Sequence, residues 1–494
     1  MPSSTLPARV DVLVIGSGFS GLCVAIHLKK AGFHDFILLE QAPQIGGTWR
    51  DNHYPGAACD IPSHLYSFSF EPNPRWSRMY PEQAEIQDYV LHCASHYGLL
   101  PHIHCNQGVA ALRFDAALAL WRVTTHSGQE VLARAVVSGT GGLSRPAMPT
   151  IPGLDQFAGA LFHSARWDHG VPLAGKTVAV VGTGASAIQF VPHIAQQVGR
   201  LLLFQRTPPW VLPKPDRPLD DSERRAFRRF PLLQRLARLA IYWQHEIRAV
   251  GFTRWPSLLR KAQTSVLRYL AYKISDPVLR DQLTPRYTLG CKRILLSSHF
   301  YPALAQPHVQ LYTSPITHAS ADGLHTADGV AHPVDVIILG TGFQVADAGL
   351  PFSVQGQRGT LLETAWRDGA SAYLGSTVAG FPNLFLMTGP NTALSHNSMI
   401  FMIEAQTRYV LQALKGMRAR GVHAVVVRPA VQQRFNAALQ QRMEPTVWST
   451  GGCRSWYLNR QGRNTTLWPG FTFAFRWQTR RFDWASYDTL DAPA

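Results

Sequence analysis

The stretch Val12-Leu-Val-Ile-Gly-Ser-Gly-Phe-Ser-Gly21 joins an apolar strand to a glycine-rich turn, and Val178-Ala-Val-Val-Gly-Thr-Gly-Ala-Ser-Ala187 repeats that arrangement. Each has the spacing that lets a backbone approach a pyrophosphate and seats this anion on a helix N-terminus. One such motif is weak evidence, but two in a strand–turn–helix context predict two bound dinucleotides with electron transfer between them. We expect contacts from Gly16, Gly18, Phe19, Ser20 and Gly21 in the first turn, and from Gly182, Thr183, Gly184, Ala185, Ser186 and Ala187 in the second.

The strand that follows each turn distinguishes the two dinucleotides. Phe36-Ile-Leu-Leu-Glu40 ends in a carboxylate about 20 residues after the first glycines, which suits an unphosphorylated ribose diol as in FAD or NAD. After the second turn, Leu201-Leu-Leu-Phe-Gln-Arg-Thr207 carries Gln205 and Arg206 in place of the acid. A carboxylate repels a 2′-phosphate, whereas a guanidinium binds it through paired hydrogen bonds. We therefore predict FAD at the first site and NADPH at the second.

The composition is that of an ordinary globular protein. The chain has 494 residues, of which 46% are hydrophobic and 16% are charged, enough for two or three domains. Its six cysteines are scattered and form no Cys-x-x-Cys, which argues against a disulfide framework, a zinc site and a dithiol redox motif. No run approaches 18 consecutive apolar residues, and the N-terminus lacks a signal pattern. We expect a soluble cytoplasmic enzyme with no transmembrane segment and no metal.

The net charge of +16 indicates a surface that attracts polyanions such as NADPH. No nucleic-acid-binding motif accompanies it, so nucleic acid is not an expected partner. The densest basic cluster, between residues 224 and 239, interleaves six arginines with phenylalanine and leucine. Such a pattern either rests on a lipid surface or forms a solvated helix pair, and we expect the helix pair because Pro231 interrupts the pattern. No sequence feature indicates the oligomeric state.

Alternating strands and helices predict parallel α/β sheets with ligand sites at their carboxyl edges. Two more apolar strands, Ala135-Val-Val-Ser-Gly-Thr-Gly141 and Val334-Asp-Val-Ile-Ile-Leu-Gly-Thr-Gly-Phe343, bracket the second dinucleotide unit. We interpret the fold as two Rossmann-like domains, with the NADPH domain inserted into the FAD domain and a helical insertion that covers the active site. The predicted ranges are 1–145 and 335–494 for the FAD domain with the C-terminal region, 146–210 and 288–334 for the NADPH domain, and 211–287 for the helical insertion.

Near the C-terminus, aromatic residues recur at every second position. They are Phe471, Phe473, Phe475 and Trp477. A period of two predicts a half-buried strand, with these aromatic side chains in the core rather than in a substrate pocket.

Two longer patterns lie between the first turn and the second. Gly46-Gly-Thr-Trp49-Arg-Asp-Asn-His-Tyr54-Pro-Gly56-Ala-Ala-Cys-Asp60 comes first, and Phe157-Ala-Gly159-Ala-Leu-Phe-His163-Ser-Ala-Arg-Trp167-Asp168 reads F-x-G-x-x-x-H-x-x-x-W-D. In these patterns, and in the order of both glycine motifs, the chain resembles the type I Baeyer–Villiger monooxygenases. These are class B flavoprotein monooxygenases related to the flavin-containing monooxygenases, which usually end the fingerprint with Tyr or Phe instead of Trp.

The resemblance implies an NADPH- and O2-dependent enzyme that converts ketones to esters or lactones through a C4a-peroxyflavin. This chemistry needs a deprotonated peroxide in a site that excludes water, with a fixed cation beside it. By the resemblance, Arg293 supplies the cation and Asp60 positions it. Lys292 joins Arg206 and Thr207 at the 2′-phosphate of NADPH.

Other roles are implied in the same way. Within the fingerprint formed by Phe157, Gly159, His163, Trp167 and Asp168, the histidine is expected to couple domain movement to NADPH use rather than to act as an acid or base. Residues expected near FAD are Gly47, Thr48, Trp49, Asp60, Tyr66 and Val109.

Two other functions stay open. The same cofactors with a protonated peroxide would oxygenate sulfides, amines or alkyl chains, although the Trp167-Asp168 ending and Asp60 favour ketones. A non-oxygenating FAD/NADPH redox protein is the alternative from another class, and the missing Cys-x-x-Cys argues against a disulfide reductase.

Overall fold

Two β-sheets carry the two glycine-rich turns in the computed structural model, which describes residues 5–345 and 349–491. Residues 1–4, 346–348 and 492–494 of the predicted FAD-domain ranges lie outside the described residues. The strands are, in chain order, β1 (Arg9–Ile15), β2 (Phe36–Leu39), β3 (Ile103–His104), β4 (Val109–Asp115), β5 (Leu120–Thr125), β6 (Glu130–Ser138), β7 (Ala160–His163), β8 (Thr177–Val181), β9 (Arg200–Phe204), β10 (Val211–Leu212), β11 (Leu295–Leu296), β12 (Val309–Tyr312), β13 (Ile316–Ser320), β14 (Gly323–Thr326), β15 (Ala331–Pro333), β16 (Val336–Leu339), β17 (Ser353–Gln355), β18 (Leu384–Leu386), β19 (Ala424–Val427) and β20 (Tyr487–Leu490).

Helices cover the sheets and fill the insertion between β10 and β11. They are α1 (Phe19–Lys30), α2 (Thr48–Asp51), α3 (Gln83–His96), α4 (Ala187–Ile194), α5 (Asp221–Arg229), α6 (Pro231–Glu246), α7 (Ala249–Thr253), α8 (Pro256–Lys273), α9 (Pro277–Gln282), α10 (Phe300–Leu304), α11 (Leu362–Ala365), α12 (Met399–Arg420), α13 (Pro429–Met443), α14 (Val447–Thr450) and α15 (Thr472–Gln478). None of them, within the described part of the chain, combines the length and apolar character needed to span a bilayer.

The first sheet combines a parallel half with an antiparallel meander. Its order is β17-β4-β5-β6-β1-β2-β3, and β18 also pairs with β6. Strand β1 pairs in parallel with β2 and β6, while β5 runs antiparallel to both β4 and β6. The turn after β1 therefore lies at the carboxyl edge of the parallel half, where α/β sheets bind their ligands.

The third glycine of the first turn lets α1 approach β1 closely. A Cβ atom at Gly21 would lie 1.9 Å from the carbonyl oxygen of Gly16, far inside van der Waals contact. Because only glycine fits at this point, the sequence spacing in the motif is a packing requirement as well as a ligand requirement.

The second sheet is wholly parallel, in the order β12-β9-β8-β16-β7. Strand β16 pairs with β7 on one side and β8 on the other, so Val336–Leu339 belongs to the sheet of the second dinucleotide unit. The boundary predicted between residues 334 and 335 is therefore wrong for this strand. All four residues of β16 are buried, as expected for a strand that lies between two parallel neighbours. The predicted α/β class, with two Rossmann-like sheets and a helical insertion, is confirmed.

The insertion starts where two short strands meet. Strand β10 pairs in parallel with β11, so the chain leaves and rejoins this part of the fold at neighbouring points. The five helices α5 to α9 lie between them. Pro231, interpreted above as an interruption, is instead the first residue of α6, where a missing N–H costs no hydrogen bond.

The predicted C-terminal strand is wrong, because Thr472–Gln478 forms helix α15. The buried carboxylate of Glu246 accepts hydrogen bonds from the backbone N–H and the hydroxyl of Thr472 at the start of this helix. An anion at a helix N-terminus stabilises the helical form and overrides the period-two pattern. Only Phe475 enters the core, while Phe473 and Trp477 lie one turn apart on the exposed side.

The scattered cysteines argued against a disulfide framework, yet Cys291 and Cys453 form one disulfide bond. They are 162 positions apart in the sequence, with their Cα atoms 6.1 Å apart. No local spacing signals such a pair, because the fold alone brings the segment before Lys292 against the C-terminal region. Among the described residues, no group of three or more His, Cys, Asp or Glu side chains is placed to hold a metal ion.

Replacement of Gly21 by alanine should destabilise the first dinucleotide unit. The added methyl group would force β1 and α1 apart, which costs about 1–3 kcal/mol of unfolding free energy and should lower the FAD content. Chemical denaturation and the ratio of flavin to protein absorbance measure the two effects. Gly142→Ala is the matched control, since its Cβ would meet only Val345 at 3.6 Å. Equal stability and flavin content in the two variants would contradict this packing argument.

Candidate active site

The first glycine-rich turn presents an uncapped helix N-terminus and a buried acid. Helix α1 begins after Gly18 without a side-chain cap, so its first N–H groups are free to receive an anion. Glu40, which follows β2, is 3% exposed, and its Oε2 accepts hydrogen bonds from the N–H and hydroxyl of Ser17 at 3.0 and 2.7 Å. Arg50 lies 3.0 Å from its other oxygen. A fixed, buried carboxylate at this edge suits a ribose diol, so these residues fit an FAD nucleotide.

The residues predicted around this turn lie together. A Cβ atom on Gly47 would be 3.1 Å from the Cα of Gly18, which places the Gly46-Gly47 segment against the turn. Trp49, on α2, donates an indole hydrogen bond to the hydroxyl of Tyr66 at 3.0 Å. The Tyr66 ring meets that of Phe19 edge-on, with ring centroids 5.4 Å apart.

Two more predicted positions flank these contacts. Thr48 is the first residue of α2, directly before Trp49. Val109 begins β4 and is buried, and Gln107, two residues earlier, donates its N–H to the carbonyl oxygen of Glu40 at 2.8 Å. The set predicted for the first dinucleotide therefore shares one edge of the first sheet.

A cleft of about 450 Å³ lies beyond the carboxyl end of β9. Arg206 and Thr207 line it, as the sequence predicts for a 2′-phosphate site. Burial, followed by the charge of Arg206, lowers the pKa of the Lys292 amine, so the two cations lie within electrostatic reach of each other. Arg286, which the sequence reasoning missed, also lines the cleft, where it forms an ion pair with Asp281 at 2.9 Å. The like charges of Arg206 and Lys292 lie close together, an arrangement that a polyanion stabilises.

The second turn resembles the first in geometry. Helix α4 begins at Ala187 after Gly182-Thr183-Gly184-Ala185-Ser186, and no side chain caps it. The hydroxyl of Thr183 donates to the carbonyl oxygen of Thr207 at 3.5 Å, which joins this turn to the cleft. A Cβ atom on Gly182 would lie 2.5 Å from the carbonyl oxygen of Gly340, the residue after β16.

Arg293 and Asp60 form an ion pair between segments 233 positions apart. The arginine Nε donates to Asp60 Oδ2 at 2.7 Å, and its Nη2 lies 2.6 Å from the same oxygen. The third guanidinium nitrogen, Nη1, donates to the carbonyl oxygen of Leu394 at 3.3 Å. Asp60 raises the pKa of Arg293 above its usual value, so this side chain is a permanent cation. About a quarter of each side chain is exposed, at 27% and 28%, which leaves the pair accessible to a ligand.

The loop from Trp49 to Asp60 also contacts the second dinucleotide unit. Gln189, on α4, accepts a hydrogen bond from the hydroxyl of Tyr54 at 2.8 Å and donates to the carbonyl oxygen of Ala58 at 2.9 Å. A Cβ atom at Gly56 would meet the His193 ring at 2.3 Å. The loop that carries Asp60 is thus fixed by α4 of the second dinucleotide unit.

The fingerprint lies along β7 at the edge of the second sheet. His163 ends β7, is buried, and accepts the N–H of Ala165 at 3.0 Å through Nδ1; burial lowers its pKa. Trp167 is buried and packs on Phe162 and Phe190 with centroids 5.2 Å apart in each case.

The other fingerprint residues have different surroundings. Gly159 allows close packing, since its Cβ would lie 2.3 Å from the carbonyl oxygen of Asp335, and the Phe157 ring lies against it. Asp168 is exposed and accepts the N–H of Gly170 at 2.8 Å. The structure therefore does not bring the whole fingerprint to one pocket: His163 and Trp167 face the core, and Asp168 faces outward.

Tyr457 is a site residue that the sequence reasoning missed. It is 1% exposed, and its hydroxyl has no hydrogen-bond partner among the described residues. Burial raises the pKa of this phenol to about 12, while the charge of Arg293 acts in the opposite direction. An unpartnered hydroxyl is costly to bury, so this group is positioned for a ligand near Arg293. Neighbouring segments carry the tyrosine and the arginine, because the Cys291–Cys453 disulfide joins them.

Two dinucleotide-binding units that share a fixed arginine–aspartate pair define a flavin- and pyridine-nucleotide-dependent oxidoreductase. A family model described as "Pyridine nucleotide-disulphide oxidoreductase" matches residues 13–220. A Baeyer–Villiger monooxygenase of Pseudomonas aeruginosa is 48% identical over 493 residues, which cover 100% of this chain and 94% of the relative. This chain belongs to the Baeyer–Villiger monooxygenase family.

Solved structures agree with this assignment. A crystal structure of OTEMO in complex with FAD and NADP superposes with a TM-score of 0.88 at 26% identity, covering 97% of this chain and 99% of that chain. Cyclohexanone monooxygenase from Rhodococcus sp. Phi1 bound to NADP+ gives a TM-score of 0.88 at 26% identity, covering 99% and 100%. The protein is an FAD- and NADPH-dependent monooxygenase, as the sequence predicts, with O2 and a small molecule as substrates.

Proposed function

We propose that this monooxygenase converts ketones to esters or lactones. The observation that carries the proposal is the permanent cation of Arg293, held by Asp60 in a partly buried position. FAD held at the first glycine-rich turn would supply the redox chemistry, uptake of hydride from NADPH and activation of dioxygen. Attack on a ketone places negative charge on oxygen, and a fixed guanidinium in a site of restricted water access stabilises that charge without reorganisation. The name of the cyclohexanone monooxygenase that shares this fold supports a ketone substrate.

We assign the two cofactors to the two carboxyl edges. FAD would be held by Gly16, Gly18, Phe19, Ser20, Gly21, Glu40, Gly47, Thr48, Trp49, Asp60, Tyr66 and Val109. NADPH would be held by Gly182, Thr183, Gly184, Ala185, Ser186, Ala187, Arg206, Thr207 and Lys292. The contacts described above support these sets, because each set surrounds one uncapped helix N-terminus.

The domain ranges follow from the sheets. We propose an FAD domain of residues 1–145 and 341–494, an NADPH domain of 146–210 and 288–340, and a helical insertion of 211–287. The pairing of β16 with β7 and β8 supports the later boundary. A cytoplasmic location stays a prediction.

Asp60 orients the cation rather than taking part in proton transfer. Both of its bonds to Arg293 use one oxygen, so the guanidinium plane is fixed while Nη1 bonds the carbonyl oxygen of Leu394. Tyr457 supplies a hydroxyl in the same environment, free to donate to a carbonyl oxygen. The site therefore offers a cation and a neutral donor to the oxygen atom on which charge develops.

Arg293→Ala should abolish ester formation without preventing NADPH consumption. The second dinucleotide site does not use this side chain, so hydride transfer to FAD should continue, and the activated oxygen should leave as hydrogen peroxide. Incubation with a ketone panel that includes cyclohexanone, with product identification by mass spectrometry and a peroxide assay, measures both results. A sulfide in the same panel tests heteroatom oxygenation.

Arg113→Ala is the matched control, since Arg113 is an exposed residue of β4 in the first sheet. It should keep the wild-type ratio of ester to peroxide. Ester yield by Arg293→Ala equal to that of the control would refute the assigned role.

Arg206→Ala should erode the preference for NADPH over NADH. Loss of one charge-assisted contact to a 2′-phosphate costs about 1.5–3 kcal/mol, roughly a ten- to hundredfold fall in kcat/KM for NADPH, with little change for NADH. Steady-state kinetics with both coenzymes measure the ratio. Arg200→Ala, at the opposite end of β9, should leave it unchanged. An unaltered ratio in Arg206→Ala would exclude this phosphate site.

Lys292 should make coenzyme binding take up a proton in alkaline solution. Burial and Arg206 lower the pKa of its amine, so the free enzyme loses this proton earlier than an ordinary lysine. A bound phosphate favours the charged form and raises the pKa again, so affinity should fall as pH rises through the lowered value. Calorimetry of NADP+ binding at about pH 9, in buffers of different ionisation enthalpy, counts the protons.

The proton uptake should disappear in Lys292→Met. Lys176→Met is the control, because Lys176 precedes β8, at the end of that strand opposite the glycine-rich turn. Equal uptake in both variants would place the titrating group elsewhere.

A further inference from the structure

Helix α6 has the reverse of the usual amphipathic arrangement, with polar side chains on its inner face. Gln234 is buried and donates to the carbonyl oxygen of Asn73 at 2.8 Å. One turn later, Arg238 donates to the carbonyl oxygens of His64 and Ser67 at 2.6 and 2.9 Å. At the end of the helix, Glu246 is fully buried and bonds the N-terminus of α15. These hydrogen bonds, together with the buried ring of Tyr242, attach this helix to the protein.

Large apolar side chains point to solvent on the opposite face. Their positions differ by four, three, four and four residues, so they follow one line along the helix surface. They are Leu232 (66% exposed), Leu236 (54%), Leu239 (50%), Trp243 (46%) and Ile247 (66%). We call these five residues the apolar ridge.

The ridge continues onto a second element. The Phe473 ring, on α15, lies 6.0 Å from that of Trp243 and is 43% exposed, and Trp477 is 62% exposed one turn further along α15. Phe230 is 58% exposed directly before α6. Single exposed apolar residues need no explanation, but a continuous ridge across two helices marks an interaction surface.

Unpaired cations border the ridge at both ends. Arg228, Arg229 and Arg235 are exposed at the first end, and none of them forms an ion pair with a described residue. Arg248 and Arg254 are exposed beyond the other end. The nearby acids of α5 do not neutralise the arginines at the first end, because Glu223 and Asp221 are paired with Arg217 and Arg224.

We propose that the apolar ridge docks on the surface of an anionic lipid bilayer. An exposed helix with an apolar line, flanking arginines and tryptophan is suited to lie in the plane of the interface, with apolar side chains among the acyl chains and cations at the headgroups. A second copy of this chain fits less well, because a two-fold contact along α6 would bring the arginines at its two ends together. Pro231 does not oppose the proposal, since it begins the helix.

Docking through α6 would also affect the supply of substrate, an inference that rests on the proposed function. Its buried Glu246 accepts a hydrogen bond from Asn397, three residues beyond Leu394, whose carbonyl oxygen bonds Arg293. The helix on the membrane thus borders the loop beside the reaction site. An apolar ketone dissolved in the bilayer would be concentrated near this loop.

Vesicle co-sedimentation of the FAD-loaded full chain tests the docking without any measurement of activity. The probes are large vesicles of phosphatidylcholine and phosphatidylglycerol at about 3:1, and vesicles of phosphatidylcholine alone. Binding should be at least about tenfold stronger to the anionic vesicles and should weaken in about 0.5 M salt, because screening removes the charge attraction. The double variant Leu236→Glu/Leu239→Glu should lose the binding.

Leu100→Glu/Leu118→Glu is the matched control, since these leucines are 55% and 40% exposed on the first dinucleotide unit. It should bind as the wild type does. If the ridge variant fails to fold by circular dichroism, Arg228→Glu/Arg229→Glu replaces it and should weaken binding about tenfold or more. Either of two vesicle results would overturn the proposal: no binding of the wild type to anionic vesicles, or equal binding by the ridge and control variants. A third result would also overturn it: a wild-type protein that binds no vesicles but self-associates in sedimentation velocity, with the self-association lost in the ridge variant.

Discussion

The ion pair between Asp60 and Arg293 depends on the whole architecture, and the proposed ketone chemistry depends on that ion pair. The aspartate lies at the end of a loop that Gln189 bonds from the second dinucleotide unit, and the arginine follows the helical insertion. Neither side chain is held by its local sequence. A guanidinium that two hydrogen bonds direct at one carboxylate oxygen cannot rotate freely, so the charge stays where an oxygen anion forms. The disulfide of Cys291, two residues before Arg293, also joins this segment to the C-terminal region.

The two Rossmann-like sheets share the same arrangement of neighbouring strands. In each, a Gly-Thr-Gly strand lies beside the first strand of its own unit: β6 beside β1, and β16 beside β8. The backbone after that strand comes within contact distance of the dinucleotide turn, as Gly340 does at Gly182. This repeated neighbour relation supports the proposed domain boundary at the end of β16. In that proposal the chain returns to the FAD domain only after the second sheet is complete.

The sequence predicted those features that depend on a short, fixed spacing between residues. The glycine turns, Glu40, Arg206 and the Trp49-to-Asp60 loop are local patterns, and the first three follow the carboxyl ends of their strands. Their roles in cofactor binding stay predictions. What the sequence missed depends on contacts between distant segments. Cys291 meets Cys453 across 162 positions, and Tyr457 lies within electrostatic reach of Arg293 without any motif of its own. The aromatic alternation at residues 471–477 was misread because the carboxylate of Glu246, far away in the sequence, caps that segment as a helix.

Glu246 also belongs to α6, the helix whose apolar side is exposed. Its inner face carries Gln234, Arg238 and Glu246, each held by hydrogen bonds, beside the buried ring of Tyr242. The apolar residues of the ridge occupy the outer face. Leu236 and Trp243 are 54% and 46% exposed, and leaving that surface in water is unfavourable at about 25 cal/mol per Å² of apolar area. The inner contacts hold this helix in place in water, and a bilayer would offer its outer face the apolar environment that the protein does not.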